Sequence, residues 1–184
     1  MMRHHSIERV INVPDNVTVT LEPTRDGQEI HIEGPKGKLS RAFNRLQVNL
    51  IQEKNTMKVQ NYFGSKNEAS MVGTIAGHIQ NMITGVTKGF TYKVQVITSH
   101  FPATVEVQKE VILIKNLYGR RDPIRVPADA NVTTKVEGDL VIFTGIDKEK
   151  VSQAATRLAE ATRLRGKRGK DPTVFQDGLY VVYP

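Results

Sequence analysis

At 184 residues with 39% apolar side chains, the chain is long enough for one large domain or two small ones with real cores. It contains no cysteine, which excludes disulfides, thiolate catalysis and zinc sites built on Cys ligands. A formal charge of +7 and a pI near 9.7 point to a polyanionic partner, nucleic acid ahead of an anionic membrane surface.

No apolar stretch approaches the roughly 18 residues of a membrane helix. The start, "MMRHHSIERVINVP", lacks the apolar core and cleavage site of a secretory signal. The expectation is a soluble, intracellular protein.

The elements come in two similar series. Pro14 opens "PDNVTV" and Pro102 opens "PATVEV", 88 positions later. Val17, Val19 and Leu21 alternate with Thr18 and Thr20, and Ile30 and Ile32 bracket His31. That is the pattern of antiparallel strands with one wet face. "TRDG" and "EKNT" read as hairpin turns. "IHIEGPKGKLSRAF" from Ile30 is matched by "ILIKNLYGRRDPIRV" from Ile112, each a strand, a glycine-bearing turn and a strand. The short extended pair "MKVQNYFG" and "LVIFTG" follows, and then a helix in each half.

In the first helix Ala69, Val72, Ile75, Ala76, Ile79, Met82 and Ile83 form one apolar stripe. Val151, Ala154, Ala155, Leu158 and Ala161 form the second, with Asp147 at the N-cap position. Gly73, Gly77 and the alanine pair are expected to bring each helix close to a sheet. The repetition predicts an α+β fold of two tandem duplicated domains, 1–86 and 87–184. Each is an antiparallel sheet packed against one helix, with the boundary near "TGVTKGF".

The halves differ in charge. Residues 1–86 carry 10 basic and 8 acidic side chains, and residues 87–184 carry 16 and 11. Five cations, Arg163, Arg165, Lys167, Arg168 and Lys170, fall within residues 163–170 without an acid. A solvated run at a helix end has the same composition, because cations favour the C-terminal dipole. Here the helical stripe ends just before the run, and the strand-like "VFQDGLYVV", with its turn pair Asp177–Gly178, follows it. A loop tethered at both ends loses less entropy on binding phosphate than a free tail. Lys115, Arg120, Arg121 and Arg125 make a second basic group on the strand–turn–strand of the same half.

"GPKGKLSR" is not a nucleotide-binding loop, since Ile32 stands where the first glycine is needed and Leu39 follows Lys38. Of the five histidines (His4, His5, His31, His78, His100) only the adjacent His4 and His5 are close in sequence, which falls short of a metal site. No catalytic set is expected: there are no paired carboxylates, nucleophile elbow or Ser/His/Asp arrangement. The few aromatics form no platform for stacking single-stranded bases, so contact with RNA would go mainly to phosphate and sugar.

"GPKGKLSRAF", "NMITGVTKGFTYKVQVITSHFP" and "KDPTVFQDGLYVV" together resemble the large-subunit ribosomal protein six family in its archaeal and eukaryotic style, over nearly the whole chain. The resemblance implies two duplicated α+β domains, no catalysis, no cofactor or metal, and assembly onto large-subunit rRNA. It implies a position at the base of the acidic stalk near the sarcin–ricin loop, beside neighbouring ribosomal proteins and the docking site of translational GTPases. It makes the second domain the main rRNA anchor, through Lys93 in "TYKV" and the five cations of 163–170. Relatives often carry a basic residue where Thr173 stands here, so one phosphate contact is expected to be missing or reduced to a hydroxyl hydrogen bond. Two other classes remain open to test: a basic architectural or interaction module acting on DNA or a protein, and an enzyme with a dispersed site.

Overall fold

The computed structural model describes residues 6–25, 27–44, 48–53, 55–62, 65–164, 171 and 173–182. The chain divides into two compact units, Met1–Gly89 and Phe90–Pro184, and each has its own core.

The first unit contains β1 (Ser6–Asn12), β2 (Thr18–Thr24), β3 (Gly27–Gly34), β4 (Gly37–Asn44), β5 (Asn49–Glu53), β6 (Thr56–Tyr62) and α1 (Lys66–Thr87). Its strands fall into two antiparallel sheets, ordered β1-β6-β5 and β2-β3-β4. Ser65 begins the helix, and its N–H donates to the Glu68 carboxylate at 2.5 Å, half of a capping box. Val72, Ile75, Ile79, Met82 and Ile83 of the expected stripe are buried among Ile30, Ile32, Met57 and Val59. The helix stops at Gly89, which takes φ 77 and donates its N–H to Thr84 O at 3.1 Å. A left-handed residue just past a helix end is the usual place for glycine.

Gly73 and Gly77 do not bring α1 close to a sheet. Both are exposed, and a Cβ at either would meet nothing within 4 Å. The close approach is made by Gly34, where a Cβ would lie 2.7 Å from Val86 Cγ2 and 3.0 Å from Val86 O. The "GPKGK" turn thus rests on the end of α1.

The second unit repeats the order with β7 (Phe90–Ile97), β8 (Thr104–Val107), β9 (Val111–Lys115), a 3-10 turn (Leu117–Gly119), β10 (Ile124–Pro127), β11 (Thr133–Glu137), β12 (Leu140–Gly145) and α2 (Lys148–Thr162). It then adds β13 (Gly178–Val182). The sheets are β11-β12-β7-β13 and β10-β9-β8. Asp147 caps α2 as expected, accepting from Glu149 N–H at 2.9 Å. Val151, Ala154, Ala155 and Leu158 are buried against Val94, Val141, Phe143 and Leu179. Each unit is therefore α+β, with its strands divided between two sheets rather than joined in one, because the hairpins β2–β3–β4 and β8–β9–β10 pair only within themselves.

Candidate nucleic-acid interface

Alternation along a strand sends every second side chain away from the core. In the sheet β8-β9-β10, Val105, Ile112, Ile114, Ile124 and Val126 turn inward, into or against the core of the second unit. The register then lines up Glu106, Leu113 and Arg125 across the outward face, with Thr104 and Lys115 in the next row. Arg120 and Arg121 are exposed in the segment between the 3-10 turn and β10. The second basic group is thus brought to one sheet face and its border. Glu106 tempers it: its carboxylate lies 2.5 Å from Lys115 Nζ. Pattern reading overlooked this acid because the pairing spans a strand connection.

The equivalent face of the first unit is charged differently. There the rows are Thr18–Glu33–Lys38, Thr20–His31–Ser40 and Glu22–Glu29–Ala42. Ile30 and Ile32 correspond to Ile112 and Ile114, which sets Glu33 opposite Lys115 and Ser40 opposite Arg125. Glu33 pairs with Lys38 at 2.8 Å, and His31 stands 3.6 Å from Glu22 and 3.9 Å from Glu29.

Lys93 lies on the other sheet of the second unit. Its neighbours Val94 and Val96 face α2, so Lys93 faces outward. The register gives one row, Lys135–Ile142–Lys93–Val182, placing the two exposed lysines about 10 Å apart across two strand spacings. Lys135 was not singled out from the sequence; "TTKVEG" alone does not reveal its register.

Arg163 is the C-cap of α2, and its guanidinium sits 3.3 Å from Glu160 Oε1. Arg165, Lys167, Arg168 and Lys170 lie outside the described residues, and His4 and His5 do too. What holds the far side of the basic run is visible. Asp177 is buried, and it is not a hairpin turn residue: β13 begins immediately after it. Its carboxylate accepts from the backbone N–H of Ser99 (2.7 Å), His100 (3.0 Å) and Phe101 (3.1 Å), and lies 3.1 Å from His100 Nδ1. Burial pushes this carboxyl up, but the bonds from the His100 ring and the three backbone groups outweigh it and hold the pKa below the ordinary value.

The His100 ring stacks on Phe175 at 4.6 Å, and Tyr118 packs against Phe175 at 5.9 Å. Thr173 is exposed, and its donors are engaged locally. Its N–H and hydroxyl donate to Asp171 Oδ1 at 2.9 and 2.8 Å, which hold the Asp171 carboxyl below its usual value. Thr173 is thus paired within its own turn.

A cleft of about 500 Å³ runs between the end of α2 and β13, lined by Tyr118, Thr156, Glu160, Phe175, Asp177 and Tyr180 among others. Its two carboxylates are used internally, Asp177 on the 99–101 turn and Glu160 on Arg163. Among the described residues no three His, Asp or Glu side chains gather as a metal site, and no helix is long and apolar enough to cross a membrane.

The structure is a duplicated α+β fold whose second copy turns Lys93, Lys115 and Arg125 outward on its two sheets. Comparison with known proteins gives the family. The family model described as Ribosomal protein L6 matches residues 13–89. The chain is 38% identical over 177 residues to the large ribosomal subunit protein uL6 of Methanobrevibacter smithii, covering 96% of both chains. It is 40% identical to that of Methanospirillum hungatei, covering 96% of this chain and 97% of the relative. With that of Staphylothermus marinus the identity is 39%, covering 98% and 96%. The chain belongs to the uL6 family of large ribosomal subunit proteins.

Proposed function

We propose that the protein is a structural constituent of the large ribosomal subunit, in the cytoplasm, anchored on large-subunit rRNA through its second half, residues 87–184. The contacts are made by Lys93, Lys115, Arg120, Arg121, Arg125 and Arg163, together with Arg165, Lys167, Arg168 and Lys170. Lys and Arg displace condensed counterions from the RNA backbone, so binding is strongly salt-dependent. The sheets hold Lys93, Lys115 and Arg125 in fixed register, so the RNA is read through backbone shape more than through base edges.

The observation that carries this reading is the gain of two cations at equivalent face positions. Where the first unit has Glu33 and Ser40, the second has Lys115 and Arg125. The finer placement, at the stalk base near the sarcin–ricin loop and beside neighbouring ribosomal proteins and translational GTPases, follows the resemblance of "TYKV", "HFP" and "VFQDGLYV". Competition at one salt concentration tests the reading against a general DNA-binding module. A large-subunit rRNA fragment carrying the sarcin–ricin loop should displace the protein from duplex DNA of equal length. Equal or stronger binding to the DNA would refute it.

A further inference from the structure

The shared strand order of the two units breaks at one place. β7 is flanked by β12 and by β13, whereas its counterpart β1 is flanked by β6 alone among the described residues. The ladder fixes the correspondence: Val13 N–H donates to Asn55 O, and Val96 N–H to Asp139 O, both at 2.8 Å. Successive residues of an antiparallel strand turn their N–H and C=O groups to opposite edges. Counting back from Val13, the groups of Ile11, Arg9 and Ile7 serve β6, and those of Glu8, Val10 and Asn12 point to the open edge. The same count in β7 turns Lys93, Gln95 and Ile97 toward β13, where they face Val182, Tyr180 and Gly178.

The face beside this edge has also changed character. Val10 is 56% and Ile51 39% exposed, and they flank Lys58 in one outward row. Tyr62, 55% exposed, stands on the same face. Lys58 donates to Glu53 Oε1 at 2.7 Å, and Glu8 shares the face. The corresponding row in the second unit is Lys93–Ile142–Lys135. An apolar–cation–apolar row with its lysine already paired and a glutamate beside it offers a polyanion little, and suits a polypeptide.

We propose that β1 is a strand-acceptor edge. An extended segment of a neighbouring protein in the large subunit adds antiparallel to Ser6–Asn12, as β13 adds to β7, with an apolar side chain beside Val10 and a basic one near Glu8. Backbone bonds supply the affinity in this mode and alternate side chains the specificity. Pro14 stands where β7 has Ile97 and has no N–H to offer, which limits the acceptor to Ser6–Asn12. The proposal is independent of where the second unit meets RNA.

Two measurements test it. Amide hydrogen exchange is followed in the free protein and in purified large subunits, and a photoreactive benzoylphenylalanine replaces Val10 in subunits. In the free protein Ile7, Arg9 and Ile11 exchange slowly, and Glu8, Val10 and Asn12 rapidly. In the subunit the second set slows by roughly tenfold or more, and irradiation links position 10 to an extended segment of another protein. A cross-link to rRNA, no cross-link, or rapid exchange of Glu8, Val10 and Asn12 in the subunit overturns the proposal.

Discussion

Tyr118 and Thr162 lie 44 residues apart, and the Tyr118 hydroxyl donates to the Thr162 carbonyl at 2.8 Å, with the Asp177 carbonyl 3.1 Å away. Thr162 is the last residue of α2, so the tyrosine satisfies a carbonyl the helix leaves unpaired. The first unit does the same with other chemistry: Lys36 donates its backbone N–H to Val86 O at 3.0 Å and its ammonium to Lys88 O. In both units the connection after the middle strand secures the helix end. Tyr118 does so at φ 58, beside Asn116 at φ 56, a left-handed backbone that costs non-glycine residues on the order of 1 kcal/mol or more each. The basic run therefore leaves a helix end fixed by Tyr118, and the chain returns to the sheet at Asp177.

Loosening this anchorage should destabilise the second unit. Tyr118→Phe is expected to cost about 1 kcal/mol, and Asp177→Asn about 2 kcal/mol because one of the two accepting oxygens becomes an NH2 donor facing the 99–101 N–H groups and the charge is lost. Asp177 also gives a pH signature. Its folded pKa is depressed, so its contribution is complete above the unfolded carboxylate value of about 3.9 and disappears as pH falls through the lower folded value. Urea unfolding followed by circular dichroism below about pH 4 should show a steeper loss in the wild type than in Asp177→Asn. Parallel curves would count against the carboxylate as the clamp.

Glycines of the first unit should respond with opposite signs. Gly34→Ala places a Cβ 2.9 Å from Val86 Cβ and 3.0 Å from Val86 O, a crowding worth about 1–3 kcal/mol of lost stability. Gly73→Ala and Gly77→Ala add a Cβ in open space and are expected to gain about 0.5–1 kcal/mol each through helix propensity. Thermal melts moving in the same direction for Gly34 and Gly73 would refute this packing.

Glu106 offers a test in which removing a group strengthens binding. Its carboxylate engages Lys115 and shares a row with Arg125. Glu106→Gln should tighten binding to a large-subunit rRNA fragment by about two- to fivefold, the range of an exposed ion pair. Filter binding at low salt measures it, and weaker binding would mean that this face does not meet RNA.

Much of this was legible in the chain. The stripe from Val72 to Ile83, the Asp147 cap and the repeated strand patterns are local signals, and each follows from one element's own periodicity. β1 escaped notice because Glu8 and Arg9 interrupt it and only Ile11 is fully buried. Asp177 before glycine reads as a turn, since nothing nearby in sequence announces partners at 99–101. Lys135 and Glu106 reach the outward rows of Lys93 and Arg125 through cross-strand register, a property of two strands together. The charge excess of the second half was plain in composition; its division between two sheet faces was not.

The claim that the second unit is the RNA anchor is tested most directly by salt titration of rRNA binding. The triple variant Arg120→Ala, Arg121→Ala, Arg125→Ala is compared with a first-unit control, Lys38→Ala with Arg41→Ala. Each lost phosphate contact flattens the log–log slope by roughly 0.7 to 0.9, so the triple variant should lose about 2 to 3 in slope and bind weakly, while the control follows the wild type. An unchanged slope in the triple variant, or an equal loss in the control, would contradict the account.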